Sequence, residues 1–352
     1  MEESSQSSSV HVMDSYYISH KKEHYIFSTF LELPFHIQNQ PLGIDVLKFN
    51  SGNFEKVELR TTPKGIHIRN IFDLELGDKH YIYFVDHGLD IAPFPGGHVH
   101  RLEFISGEIT TFHEFDGKFN FGGSAFNWNE NLYELFVGIN YSPRLYINGK
   151  AYDEFTQQID SFRTAQGYLT SLIFEKSEQL YFFLGLTDTD PICELPSIDG
   201  DLLVVYDGQN FNFQLLERNV PADWATVFSR KTSYLGKEII LVAHHNNGFT
   251  EFEFGYYEIN NQFNYVSLLD SEKLKIQGTW VSQLIVIHHN GYDEVYGLVK
   301  RSEGGDSSYI CLKEDGSFEH IQKHLFGIAF FNETLFGVNG EASVINLMND
   351  HC

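Results

Sequence analysis

Six times along the chain, two or three alternating apolar residues run into a turn centred on Gly or Asn, and an aromatic or β-branched residue opens the next strand. The phrase reads Leu47-Lys-Phe-Asn-Ser-Gly52-Asn-Phe54, Leu102-Glu-Phe-Ile-Ser-Gly107-Glu-Ile109, Leu145-Tyr-Ile-Asn-Gly149-Lys, Val204-Val-Tyr-Asp-Gly208-Gln-Asn-Phe211, Tyr256-Tyr-Glu-Ile-Asn-Asn261-Gln-Phe263 and Ile310-Cys-Leu-Lys-Glu-Asp-Gly316-Ser-Phe318. Each is a β-hairpin signal, because Asn-Gly and Asp-Gly supply the positive φ that tight hairpin turns need. The anchors at 52, 107, 149, 208, 261 and 316 give a mean period near 53, so the 352 residues hold between six and seven repeated β units.

A period that runs from end to end predicts one toroidal domain over 9–352 rather than two domains. With 32 Phe and 19 Tyr the chain can bury both faces of stacked sheets. Asp plus Glu number 48 against 24 Lys plus Arg, for a net charge of −24, which repels phosphate backbones and anionic bilayers. Nucleic acid and membrane are therefore excluded as expected partners, and a monomer is expected. Cys193, Cys311 and Cys352 are too few and too scattered for a disulfide framework or a zinc cluster, and read as free thiols. The polar opening Met1-Glu-Glu-Ser-Ser-Gln-Ser-Ser-Ser offers no apolar anchor, so residues 1–8 are expected to be disordered, and it has no leader pattern; a cytoplasmic location follows as the expectation.

Four strands per unit place the units at about 14–62, 65–115, 122–159, 167–216, 223–266 and 278–321, leaving three strands for 325–352. The alternating segment Ser9-Val-His-Val-Met13 supplies the missing strand, giving an all-β, seven-bladed β-propeller of four-stranded antiparallel blades, its ring closed by an N-terminal strand in the last blade. Helical periodicity is nearly absent, with one short turn expected at Ser271-Glu-Lys-Leu-Lys-Ile276.

The stretch Phe84-Val-Asp86-His87-Gly88-Leu-Asp90-Ile-Ala-Pro93-Phe94-Pro95-Gly96-Gly97 resembles the Asp-His-Gly-x-Asp and Pro-Phe-Pro-Gly phrases of some propellers built from FG-GAP or VCBS-type repeats. That resemblance implies seven blades. Members with calcium blades carry Asp-x-Asp-x-Asp-Gly loops; Asp188-Thr-Asp190 and Asp199-Gly-Asp201 each lack ligands, so no calcium is expected. A second, weaker resemblance is to the six-bladed gluconolactonase and strictosidine-synthase-like propellers, which would require six blades in place of seven.

In such a ring the loops between second and third strands share one face with the crossovers between blades. That face would present Asp86, His87 and Asp90, then Asn140, Asp188, His244 and His245, then Arg301, with Gln166, Trp224 and Trp280 from the crossovers. Convergent polar groups at a concave mouth suit small-ligand recognition. The main reading is thus a binding propeller that captures a small organic molecule, glycan or peptide, with Asp90, Asn140, Gln166, Trp224, His245 and Trp280 as ligand contacts. The alternative is an enzyme of lyase, cyclase or hydrolase type, with His87 or His244 as acid–base groups, Asp86 or Asp188 orienting them, and Arg301 stabilising a developing anion. No nucleophile elbow, phosphate-cradling loop or zinc helix is present, and no cofactor or metal is expected. The pairs His98-Val-His100 and His288-His289 are assigned to strand and turn roles away from that mouth.

Overall fold

Two-residue turns with positive φ at both central positions set the local geometry. Their twist matches that of the flanking strands. Lys21-Lys22 (φ 51° and 67°), Asn129-Glu130 (49° and 64°), Ser177-Glu178 (51° and 62°) and Leu235-Gly236 (49° and 73°) each join the first two strands of a sheet. The computed structural model describes residues 10–32, 43–57, 68–86, 98–105, 108–116, 120–138, 142–162, 167–187, 200–221, 224–246, 251–269, 274–275, 279–289, 291–301, 307–313, 315–322, 325–331, 334–339 and 344–347.

The first blade is β1 (Val10–His20), β2 (Glu23–Glu32), β3 (Gly43–Asn50) and β4 (Asn53–Val57), and the second is β5 (Ile68–Leu76), β6 (Lys79–Asp86), β7 (His98–Ile105) and β8 (Glu108–Asp116). The third comprises β9 (Asn120–Trp128), β10 (Asn131–Gly138), β11 (Arg144–Ile147) and β12 (Lys150–Ala151), followed by α1 (Asp153–Phe162). The fourth comprises β13 (Gly167–Lys176), β14 (Gln179–Thr187), β15 (Asp201–Tyr206) and β16 (Phe211–Leu216). In the fifth, β17 (Ala225–Tyr234), β18 (Lys237–His245), β19 (Glu251–Glu258) and β20 (Tyr265–Ser267) are joined by β21 (Leu274–Lys275), which pairs with β19. The sixth is β22 (Thr279–His289), β23 (Tyr292–Arg301), β24 (Ser307–Leu312) and β25 (Phe318–Gln322). A further sheet, β26 (Leu325–Phe331), β27 (Thr334–Asn339) and β28 (Val344–Asn346), has three strands.

Among the described residues, complete blades of at least four strands thus number six, not the expected seven. The expected closing strand is also corrected. Val10–Met13 runs without a break into β1, whose Val10 pairs with Glu32 of β2, so it is committed to the first sheet and cannot serve the last. Side chains close the ring instead. Ile26 and Leu47 of the first blade pack against Ala329 and Val338 of the three-stranded sheet, and that sheet packs on the sixth blade through Leu325, Ile328, Tyr296 and Tyr309. Comparable apolar layers separate the other neighbouring blades. Five of the six sequence anchors fall at the hairpin between a blade's third and fourth strands, and the sixth, Gly107, lies outside the described residues, between β7 and β8 in the chain.

Of the helical turn expected at 271–276, Leu274–Lys275 is strand β21 instead, and 271–273 and 276 lie outside the described residues. The helix that does form, α1, follows the two-residue β12 and buries its apolar side chains in the layer between the third and fourth blades. Asp153 and Glu154 complement the N-terminal dipole of its first turn. Phe155 and Ile159, one turn apart, are fully buried, with the Phe155 ring 5.3 Å from Phe182 and 5.2 Å from Phe211. Trimming Ile159 to Val should therefore cost about 1 kcal/mol in urea unfolding; an unchanged midpoint would show that α1 is peripheral to stability. Among the described residues no helix is long and apolar enough to cross a membrane.

Candidate ligand site in the axial channel

The first strand of every sheet slips by one residue against its partner near its N-terminal end. The skipped positions are Met13, Arg69, Phe121, Leu169, Val227, Ser282 and Phe326. A bulge of this kind bends the strand and re-aims the side chains beside it. Repeated around the ring, it turns a set of short polar side chains toward the axis, where they bound a cavity of about 240 Å³. Ser15, Ser171 and Ser229 each stand two residues past the skipped position, and Ser124, Thr170 and Gln283 join them. All six are buried in the protein frame.

These groups hold one another. Thr170 and Ser229 share a hydroxyl hydrogen bond of 2.7 Å, Ser124 and Ser171 one of 3.4 Å, and Ser15 bonds Ser28 at 3.0 Å. Gln283 Oε1 accepts from the Ile328 backbone N–H at 2.9 Å, tying the sixth blade to the closing sheet. Close approach of β14 to this layer requires Gly185, because a Cβ there would lie 2.5 Å from Thr170 Cγ2 and 3.0 Å from Thr226 Cβ. Tyr16, Phe72 and Phe228 supply ring surface to the wall, and Asp73 and Arg230 are the charged groups among the described lining residues. Asp73 is held by Tyr16, whose hydroxyl donates to Oδ1 at 2.8 Å, and by His80, whose Nε2 lies 2.6 Å from Oδ2.

Behind the channel, between the fourth and fifth blades, lies a buried polar frame centred on Asp201. Its carboxylate accepts from the Thr226 hydroxyl (2.6 Å), the Tyr257 hydroxyl (2.8 Å) and the Leu186 N–H (3.2 Å), with the Arg218 guanidinium 3.8 Å away. Gly200 permits the turn into β15: its φ is +145°, and a Cβ would meet the Leu216 carbonyl oxygen at 2.3 Å. Burial pushes the Asp201 carboxyl up, while Arg218, Thr226, Tyr257 and Leu186 pull it back. Thr226 also lies 2.8 Å from His244 Nδ1. Burial, then Arg218 and His245, hold His244 far below the usual imidazole range. Between the second and third blades a parallel arrangement has Glu134 Oε1 accepting from Tyr83 (2.6 Å) and Arg101 (2.7 Å); burial, then Glu134, pushes the Tyr83 phenol up.

Of the residues expected at the channel mouth, His87, Asp90, Asn140, Gln166 and Asp188 lie outside the described residues. Asp86, Trp280 and Arg301 are placed only as strand positions, Asp86 opposite Ile68, Trp280 opposite Lys300 and Arg301 opposite Thr279. His244, His245 and Trp224 are described in full, and all three are buried rather than set at a solvated rim. His288 does sit at the opposite, turn face, where its Nδ1 meets Asp293 at 2.6 Å. Cys311, expected as a free thiol, is disulfide-bonded, and Cys193 and Cys352 lie outside the described residues. The axial hydroxyls escaped the sequence reading. Their signal was present as Ser15, Ser124, Ser171 and Ser229 recurring at one or two blade periods.

No protein-family model matches the chain, the FG-GAP and VCBS-type repeats included, and no curated protein sequence matches it. Among solved structures it is similar to a GH32 beta-fructofuranosidase of Bombyx mori, with TM-score 0.40 and 11% identity over 97% of this chain and 88% of that one. A Cellvibrio cellulosa alpha-L-arabinanase mutant follows at TM-score 0.38 and 9% identity, over 74% and 96%. A GH43_1 enzyme from Xanthomonas citri complexed with xylotriose has TM-score 0.37 and 9% identity, over 73% and 90%. At such values function has to be argued from the site itself.

Proposed function

We propose that the protein is a binding propeller that takes a compact, hydroxyl-rich ligand of the mono- or disaccharide class into the axial cavity. The observation that carries this reading is the ring of buried hydroxyl and amide side chains that the repeated bulges turn toward a space of about 240 Å³. Each hydroxyl both donates and accepts, which matches the mixed donor and acceptor surface of a sugar, and the aromatic walls suit its C–H faces. Entry would lie past the loops that carry Asp86, His87, Asp90, Asn140, Asp188 and Arg301, since those loops join the strand ends nearest the bulges.

Catalysis on the same ligand is the second reading. Glycoside hydrolysis uses two carboxylates flanking the bond, and Asp73 is the carboxylate among the described lining residues, so this reading needs a second acid from the mouth loops, Asp86 or Asp188. Titration calorimetry with glucose, fructose, sucrose and xylotriose discriminates. At least one should bind in the millimolar range or tighter, and Ser171→Leu should weaken it about tenfold through a lost hydrogen bond and a filled cavity. Absence of binding across the panel, or undiminished binding by Ser171→Leu, would remove the proposal. Release of monosaccharide from sucrose or xylotriose would move the assignment to the enzyme class.

A further inference from the structure

At the opposite end of the channel wall, three chain segments bring two imidazoles and a carboxylate together. His20 closes β1 in the first blade, Glu75 lies near the end of β5, and His80 opens β6 in the second. His20 Nδ1 and His80 Nδ1 are 3.1 Å apart, and Glu75 Oε1 is 3.4 Å from the His80 nitrogen and 3.8 Å from that of His20. A tetrahedral ion with bonds of about 2.0–2.1 Å puts its ligand atoms about 3.3 Å from each other. The three separations bracket that value.

The hydrogen bonding points the same way. His80 Nε2 meets the Asp73 carboxylate at 2.6 Å, which turns the other ring nitrogen, Nδ1, toward His20 and Glu75. Two ring nitrogens and a carboxylate oxygen thus converge on one point, each able to act as a metal ligand. Among the described residues His20 has no polar partner for its ring outside this cluster, and its Nε2 is buried without a hydrogen bond there. Both rings are buried and fixed by the Phe104 ring, at 5.5 Å from His20 and 6.4 Å from His80, whereas Glu75 is exposed and opens the cluster to solvent. Asp73, itself held by Tyr16, supplies the outer hydrogen bond that orients a metal-binding imidazole.

We propose that His20, Glu75 and His80 form a site for a divalent transition metal of the zinc class, with water in the fourth position, that clamps the first blade to the second. Two imidazoles and one carboxylate suit zinc, whereas magnesium and calcium prefer all-oxygen sets. This runs against the expectation of no metal, because the ligands come from three strands and no sequence motif spans them.

The test is calorimetric titration of chelator-stripped, dialysed protein with zinc chloride, paired with thermal unfolding. One equivalent should bind at micromolar affinity or tighter and raise the melting temperature, magnesium should do neither, and cobalt(II) should give the intense visible bands of a four-coordinate ion. Glu75→Gln, at an exposed position that leaves the fold intact, should weaken zinc at least tenfold. Asp73→Asn should weaken it 10–100-fold. His20→Ala and His80→Ala should abolish binding, with circular dichroism confirming that each is folded. Zinc binding no stronger than millimolar, or equal binding by wild type and Glu75→Gln, would overturn the assignment and leave the pair as a plain imidazole–imidazole hydrogen bond.

Discussion

Replacing Asp201 with Ala is expected to lower unfolding free energy by about 3–5 kcal/mol, because it removes the buried carboxylate that faces a buried guanidinium and leaves that charge uncompensated by it. Both partners are withdrawn from water: the Asp201 side chain is 0% exposed and that of Arg218 1%. The carboxylate also satisfies the Tyr257 and Thr226 hydroxyls and the Leu186 N–H, so its removal leaves several donors without an acceptor. The reverse change should be milder. In Arg218→Met the carboxyl can take up a proton, as burial already pushes it in that direction. The double variant Asp201→Asn with Arg218→Met, which carries no buried charge, should therefore be more stable than Asp201→Ala alone. Urea titrations of wild type, Asp201→Asn, Arg218→Met and the double variant measure this as a non-additive coupling. A loss below 1 kcal/mol for Asp201→Ala would mean that water reaches the cluster and that the frame between the fourth and fifth blades is not the rigid support described.

Much of the ring was legible because hairpin chemistry is local. Gly52, Gly149, Gly208 and Gly316 each adopt positive φ at the turn the sequence assigned to them. What escaped was set by contacts distant in the chain. The turns at Lys21-Lys22 and Ser177-Glu178 adopt the same backbone without glycine, since the strands on either side impose it. Bulges leave no residue signature, so the axial hydroxyls could be found only by aligning Ser15, Ser124, Ser171 and Ser229 on the blade period. Asp201 was read as half of a poor calcium loop, because its partners arrive from Arg218, Thr226 and Tyr257 in the crossover and the next blade. His20, Glu75 and His80 show the same limit, being ordinary strand residues until two blades pack. The helix α1 was missed because β12 has two residues and the sequence rhythm promised a full strand there. Ring closure failed as an inference for a related reason: alternation identifies a strand but not the sheet that claims it.

Acid should destabilise the protein more steeply than its carboxylates alone would, through the adjacent buried imidazoles of His244 and His245. Burial lowers His245 to about 4, partly offset by its hydrogen bond to the Asn246 carbonyl, and holds His244 well below its ordinary value. In the unfolded chain both titrate near 6.5. Between pH 6.5 and 4 the unfolded state therefore binds protons that the folded state refuses, and stability falls as pH falls through that window. His245 alone contributes a loss of about 2 kcal/mol at pH 5, rising to about 3 kcal/mol near pH 4, and His244 adds in the same direction. Urea midpoints at pH 7.5, 6.0 and 5.0 should drop progressively. His245→Phe removes the titrating group from a site already walled by the Phe252 ring, at 6.1 Å, and should flatten the drop even if it lowers stability at pH 7.5. A wild-type midpoint that holds steady from pH 7.5 to 5.0, or an equal slope in the variant, would show that solvent protonates these rings within the folded state.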